Sequence, residues 1–210
     1  MKPYTFALCT VALAGILGGC HTTDYKSSVD VSALSSDQKF SLAYMWNEEK
    51  LAKDLYLALN AIWPQETLNN IANKSETLHE AMVETLVASY DINITNLDDY
   101  AKHYSEEELR ALAPGEFAIP KLQQLYDTLY AEGAASAQDA LEAACMVEVN
   151  DINDLTGYIA AAEGADDLVS TFESLRSDSY MHYSKFNQAL KAMDVTEGCC
   201  ILGEAYCLNQ

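Results

Sequence analysis

Apolar residues recur at steps of three and four along four long stretches of the chain. Residues 37–62 and their border carry Leu42, Met45, Glu49, Ala52, Tyr56, Leu59 and Trp63 on one helical face. Residues 66–90 carry Ala72, Glu76, His79, Val83, Leu86 and Tyr90 in the same rhythm. Residues 136–162 repeat it with Leu141, Cys145, Glu148, Ile152, Leu155 and Ile159, and residues 165–193 with Leu168, Phe172, Leu175, Ser179, His182, Phe186 and Met193. Such stripes predict amphipathic helices that share a core. Trp63-Pro64-Gln65 and Glu163-Gly164 are tight joins, whereas residues 91–135 form a long connection with Pro114, Gly115 and Pro120. Within it, Ser105 and Glu108 have the spacing of a capping box for a short helix over 105–112. Leu122, Leu125, Tyr126 and Leu129 mark another helix ending near Gly133. The expected fold is all-α: two antiparallel hairpins joined by a long helical crossover, the connectivity of a ferritin-like four-helix bundle, over 37–194. Asn73-Lys74-Ser75 are weak helix formers and could break the second helix in two.

The stripes are not apolar throughout. Each carries an ionisable residue near its middle: Glu49, then Glu76 with His79, then Glu148, then His182. An unpaired buried carboxylate costs several kcal/mol or takes up a proton. Four helices placing such groups at matching depth call for a common partner, and a divalent cation neutralises several carboxylates at once. Glu76-Thr77-Leu78-His79 puts its acid and imidazole three residues apart, on one helical face. Bundle-core di-iron sites take one Glu from each of two helices and a Glu-x-x-His unit from each of the other two. The order here matches, except that Ser179 stands where the fourth helix would carry Glu. A water held by Ser179, Asp178 swinging inward, Asp151 one turn after Glu148, or one ion instead of two would each accommodate that change. Tyr56, two turns beyond Glu49, is placed to hydrogen-bond a ligand carboxylate, or to serve only as a core tyrosine. Taken singly, Glu49 beside Glu48 could be a solvated pair, Glu148 could pair with a lysine, and His182 could be a core histidine bonded to a tyrosine.

The charge changes the picture next. Thirty-two acids against 12 bases give a formal net charge of −20 over 210 residues. Such a chain is repelled by phosphate backbones, which excludes nucleic acid as a general partner. The N-terminus, MKPYTFALCTVALAGILGGC, holds one lysine, an apolar run from Phe6 to Leu17, and small residues before Cys20. It resembles a bacterial lipoprotein signal peptide, 1–19, with Cys20 as the lipidated first residue of the mature chain. His21 after that cysteine fits an outer-membrane address in the cell envelope. Residues 20–36 read as a flexible tether, and 195–210 as a Cys-rich tail. In an oxidising compartment Cys145, Cys199, Cys200 and Cys207 can form disulfides, with three pairings open. A small loop to Cys207 plus a staple from the tail to Cys145 is the economical choice. A soft-metal site in the tail is the rival, without a nearby histidine.

The segment from Tyr44 to Leu59, together with Asn70-Ile71-Ala72, Ser75-Glu76 and His79, resembles the ferritin-like family called domain of unknown function 2202. So do Leu122-Gln123-Gln124-Leu125-Tyr126-Asp127, Asp151-Ile152, Asp154-Leu155, and Ser179 with His182. The resemblance runs over about residues 37–192 and implies a ferritin-like bundle with the stripe residues as metal ligands. Ser179 is then the family's own habit. The family's usual second acid after Glu148 is replaced here by Val149, which would give Asp151 a larger part if that acid were the ligand.

The expected function is that of a lipid-anchored envelope protein with a non-haem iron or manganese site, mono- or dinuclear, acting on O2 or peroxide. Glu49, Glu76, His79, Glu148 and His182 are the expected ligands, with Asp151 in reserve and Tyr56 and Ser179 supporting them. A metal-buffering protein without turnover and a metal-free interaction lipoprotein are the alternatives. The expected partners are metal ions and, through Cys20, a membrane. Both a homodimer and a tethered monomer fit the pattern.

Overall fold

This computed structural model describes residues 34–208. The expected signal peptide, Cys20 and nearly all of the expected tether lie outside them. The last residues assigned to the tether belong to the folded unit. Leu34 is buried. Ser35 caps the first helix, α1 (Ser36–Ile62): its hydroxyl accepts from Gln38 N–H, and the Gln38 side chain accepts from Ser35 N–H. Gln38 also donates to the carbonyls of Ala161 and Glu163, which ties the start of α1 to a turn much later in the chain.

The next helices are α2 (Glu66–Asn70), a π-helical turn (Ile71–Glu76) and α3 (Thr77–Ser89). The helix predicted over 66–90 is therefore not broken at Asn73-Lys74-Ser75. It widens there by taking i→i+5 bonding, a change common at functional sites. The connection holds α4 (Glu106–Arg110), with its Ser105–Glu108 capping box, and α5 (Pro120–Gly133), which begins on Pro120 and ends at the expected glycine. Gly133 lies where a Cβ would come within 2.8 Å of Leu59, so α5 closes on α1 at a residue that has no side chain. The chain continues into α6 (Ala137–Ala161) and α7 (Asp166–Ala192), separated by a turn with Gly164 at a φ of +92°. Met193, placed on the fourth stripe by its spacing, instead falls just past the end of α7 and is exposed. Among the described residues every regular element is helical.

Two apolar clusters fill the interior. One contains Leu55, Leu59, Ala72, Leu141, Cys145, Phe186 and Leu190. The other contains Leu42, Met45, Val83, Leu86, Leu155, Leu168, Phe172 and Leu175. α1, α6 and α7 each contribute to both, and the stretch 66–90 does so with Leu68, Ile71 and Ala72 in the first and Val83, Leu86 and Val87 in the second. α1 and α7 run from the second cluster to the first, and α3 and α6 run the opposite way. This order follows from chain connectivity: a short join returns the chain antiparallel, and the long crossover sets α6 off in the direction of α3.

The tail folds back over α6 and α7. Cys145 is bonded to Cys199, and Cys200 to Cys207. The Tyr183 hydroxyl donates to the Tyr206 carbonyl at 2.7 Å and accepts from Leu208 N–H at 3.1 Å. Gly198 turns the chain at a φ of +56°, and a Cβ there would meet Asn187 Oδ1, the atom that accepts from Cys199 N–H.

Candidate metal centre

α1 places Glu49, the end of the π turn places Glu76, α3 places His79, α6 places Glu148, and α7 places His182. All five are at most 2% exposed. Helical periodicity sets them on the inner faces, and the two apolar clusters on either side exclude water from them. Placing Glu76 at the exit of the widened turn keeps it in line with Ala72, His79 and Val83.

Glu76 sits between the two imidazoles. Its Oε2 is 3.0 Å from His79 Nδ1, and its Oε1 is 3.0 Å from His182 Nδ1. Glu49 Oε2 is 3.2 Å from His79 Nδ1, and Glu148 Oε1 is 3.5 Å from His182 Nδ1. The imidazole rings stack with centroids 5.4 Å apart. Two groups of three converging ligand atoms result, Glu49 with Glu76 and His79, and Glu76 with Glu148 and His182, each group within 4.8 Å. Glu76 belongs to both, the position a bridging carboxylate would hold.

The surrounding groups are set from outside. The Tyr56 hydroxyl donates to Glu148 Oε1 at 2.6 Å and fixes that carboxylate's rotamer. Asp178 lies 3.3 Å from His79 Nε2, so it steadies the imidazole from behind and does not take the place of Ser179. Ser179 Oγ lies 3.0 Å from both Asp151 Oδ2 and the Leu175 carbonyl. Its single hydrogen can serve only one of them, and a protonated Asp151 satisfies both. Val149 is buried in the first apolar cluster, and Glu148 alone of that pair turns to the centre. Two relations were not visible in the spacing: the Asp178–His79 contact, and the burial of Glu48, which is 8% exposed beside Asp154. The first depends on how α3 and α7 are rotated against each other. The second had a faint signal in Tyr44 and Glu48, which share a face four residues apart.

Charge in the centre is unbalanced. Burial penalises the His79 imidazolium, but hydrogen bonds and charge from Glu49 and Glu76 outweigh it and push its pKa up to about 12. Burial likewise opposes the charged form of His182, yet Glu148 and Glu76 raise it to about 10. Burial raises Glu76, but the two imidazoles prevail and hold it down to about 2. Glu49 is raised to about 7, because burial and the charges of Glu76 and Glu148 exceed the help from His79. Glu148 and Asp151 are raised, burial being the main cause for both. Without metal, protons therefore neutralise the centre.

That has a measurable consequence. A ligand imidazole must lose the proton that both histidines hold at neutral pH, so cations compete with protons. Loading a dinuclear centre at pH 7 is expected to release about two imidazole protons and part of one from Glu49. Affinity rises with pH, and the His182 share of that rise ends near its pKa of about 10. Calorimetry in two buffers of different ionisation enthalpy counts the protons, and a count of zero would contradict the assignment. The metal-free fold responds oppositely. The histidine pairs stabilise it fully below their ordinary value of 6.5, and that contribution fades as pH climbs through about 10 and about 12. The Glu76 contribution is present above its ordinary 4.5 and is lost as pH falls through about 2.

The profile of the family described as uncharacterized protein domain DUF2202 matches residues 37–196. The uncharacterized protein MJ0754 of Methanocaldococcus jannaschii is 33% identical over 167 residues, which are 80% of this chain and 82% of that protein. The crystal structure of hypothetical protein MJ0754 from Methanococcus jannaschii is similar to this fold with a TM-score of 0.64 and 32% identity, covering 77% of this chain and 83% of that one.

Proposed function

We propose, from the premise that the chain belongs to the DUF2202 family, that it is a ferritin-like four-helix-bundle protein holding two iron or manganese ions at Glu49, Glu76, His79, Glu148 and His182. One observation carries this reading. Glu49 Oε1 and His182 Nε2 are sealed from water with no partner, and Glu49 Oε2, Glu76 Oε1 and His182 Nδ1 meet only other side chains of the same cluster, at 3.0–3.5 Å. Each such orphan costs about 1–3 kcal/mol, more when charged. Among the described residues, no lysine or arginine is paired with Glu49, Glu76 or Glu148. Convergent lone pairs from carboxylates and imidazoles are a donor set that divalent iron or manganese satisfies. All four cysteines of residues 34–208 are tied in disulfides and add no thiolate.

Such ions supply one-electron redox chemistry toward O2 or peroxide. The chain's own residues position and seal the site. Tyr56 aims Glu148, Asp178 steadies His79, and Ser179, on the inner face of the fourth helix, holds Asp151. The apolar clusters above and below keep water out. A metal-free ion-pair network is the second reading, favoured by the 3.0 Å contact between His79 and Glu76, but it leaves Glu49 Oε1 and His182 Nε2 without partners. A metal buffer without turnover uses the same ligands. Adding Fe(II) to the metal-free protein under air separates these: oxygen uptake well above the protein-free rate, lost in Glu76→Ala, marks redox chemistry. Binding without uptake marks a buffer, and no binding marks the network.

Lipidation at Cys20 places this domain on the periplasmic or outer side of a bacterial envelope membrane. Among the described residues no helix is long and apolar enough to cross a membrane. Radiolabelled palmitate is expected to enter the wild-type protein and not Cys20→Ser. Equal labelling of the two would exclude the anchor.

A further inference from the structure

A groove of about 580 Å³ opens beside the centre between α1, α5 and α6. Tyr44, Glu48, Asn150, Asn153 and Asp154 line it, and one lysine, Lys121 of α5, faces it from an exposed position. Two of these groups are buried yet incomplete. Tyr44 is 3% exposed and its hydroxyl has no hydrogen-bond partner, and Glu48 is 8% exposed with its Oε2 in the same state. The phenol oxygen, orphaned and lining the groove, is a demand for a ligand at that spot, and the carboxyl beside it has only another carboxyl within reach. Glu48 also lies within hydrogen-bonding contact of the Asp154 carboxyl. Two carboxyls held together are stable only with a proton or a cation between them.

The groove connects to the centre through one helix. On α6, Glu148, Asp151 and Asp154 follow one another at three-residue steps, about 4.5 Å of rise apiece. Their burial decreases in that order, from 2% exposed at Glu148 through 8% at Asp151 to half-buried at Asp154. Asp151 senses the charges of Glu49, Glu148 and Glu76 on its inner side, and Glu48 senses Asp151 from the groove. The carboxylates thus form a ladder from solvent toward Glu76.

We propose that the groove is a cation-binding station that feeds the centre: Glu48, Asp154 and the Tyr44 hydroxyl hold a partly hydrated divalent cation, and Asp151 passes it to Glu148. This rests on the metal-centre reading above. The donors are all oxygens, so the station binds hard divalent cations weakly and without selecting among them, whereas the imidazoles of the centre add retention. A weak first site on a negatively charged path speeds capture without competing for the final ion. Asn150 and Asn153 offer neutral oxygens to a hydrated ion at the mouth.

Co(II) is the probe, because its ligand-field absorption reports arrival at the centre. The full chain, stripped of metal by chelator, is mixed with Co(II), and both the rate of colour development and the number of ions bound are recorded. Glu48→Gln and Asp154→Asn are each expected to slow loading about tenfold or more while leaving the final spectrum and stoichiometry unchanged. Tyr44→Phe is expected to slow it in the same sense. Loading within twofold of wild type in Glu48→Gln and Asp154→Asn overturns the station. A changed final spectrum in Asp154→Asn also overturns it, since that residue would then belong to the centre. If Glu48→Gln does not fold, Asp154→Asn and Tyr44→Phe decide alone. Failure of the metal-centre reading looks different: wild type itself then develops no colour.

Discussion

Replacing His79 and His182 together by alanine is expected to abolish metal retention. The wild-type protein purified from its native host should carry iron or manganese, up to two ions per chain. The double variant should carry less than about a tenth of an equivalent, because each three-ligand group loses its only imidazole. Elemental analysis after extensive dialysis decides the matter. Equal metal in both proteins would remove the centre from Glu49, Glu76, His79, Glu148 and His182, and an absence of transition metal in wild type would favour the ion-pair network. The variant should still fold. Removing both imidazoles leaves three carboxylates to share protons, a change the raised Glu49 and Glu148 already anticipate. Thermal melting gives an independent check. A chelator should lower the midpoint of wild type, since an ion bound to the native state alone adds stability, and should leave the double variant unmoved.

The second large effect concerns the tail. Cys145 and Cys199 lie 54 residues apart in sequence, and a bridge closing a loop of that length is worth about 4 kcal/mol in the chain-entropy account. Cys200 and Cys207 are 7 apart, which corresponds to about 2 kcal/mol. Against a total of about 5–15 kcal/mol for a typical domain, the first is a large share. Cys145→Ala with Cys199→Ala is therefore expected to lower the urea midpoint markedly, and Cys200→Ala with Cys207→Ala to lower it about half as much. Both alanine pairs are measured without metal. Cys145 lies on the same face of α6 as Glu148, one turn away, so a further distinction follows. If the staple only restrains the unfolded chain, metal affinity survives its loss; if it also holds α6 in register, affinity falls along with stability. An unchanged urea midpoint would show that the contacts of Tyr183 and Asn187 hold the tail unaided.

Much of the centre was legible along the chain. Glu49, Glu148 and His182 announce themselves because a 3.6-residue period fixes which residues face inward, and an ionisable group at such a position demands a partner. Glu76 and His79 add a spacing that has a known use in bundle cores. Tyr56 was evident only as a candidate, since a core tyrosine has the same spacing; its 2.6 Å bond to Glu148 requires α1 and α6 to be placed side by side. Asn73-Lys74-Ser75 signalled irregularity but not its form. Weak propensity marks where a helix can deform, while packing against α1 bears on whether it breaks or widens.

Glu48 and Asp178 show the limit. Along the chain Glu48 beside Glu49 looks solvated, and Asp178 looks like a stand-in for the ligand that Ser179 cannot supply. In the fold, Glu48 is buried against Asp154, and Asp178 reaches His79 from outside. The sequence by itself determined the helices, their inner faces, the acidic excess and which carboxylates and imidazoles face inward. Only the tertiary structure decided that Glu76 stands between two imidazoles, that Cys199 and not Cys200 makes the expected staple to α6, and that carboxylates lead outward from Glu148. The reason is geometric. Periodicity is a property of one helix and is written in its residues, whereas the rotation and offset of one helix against another arise from packing among all of them.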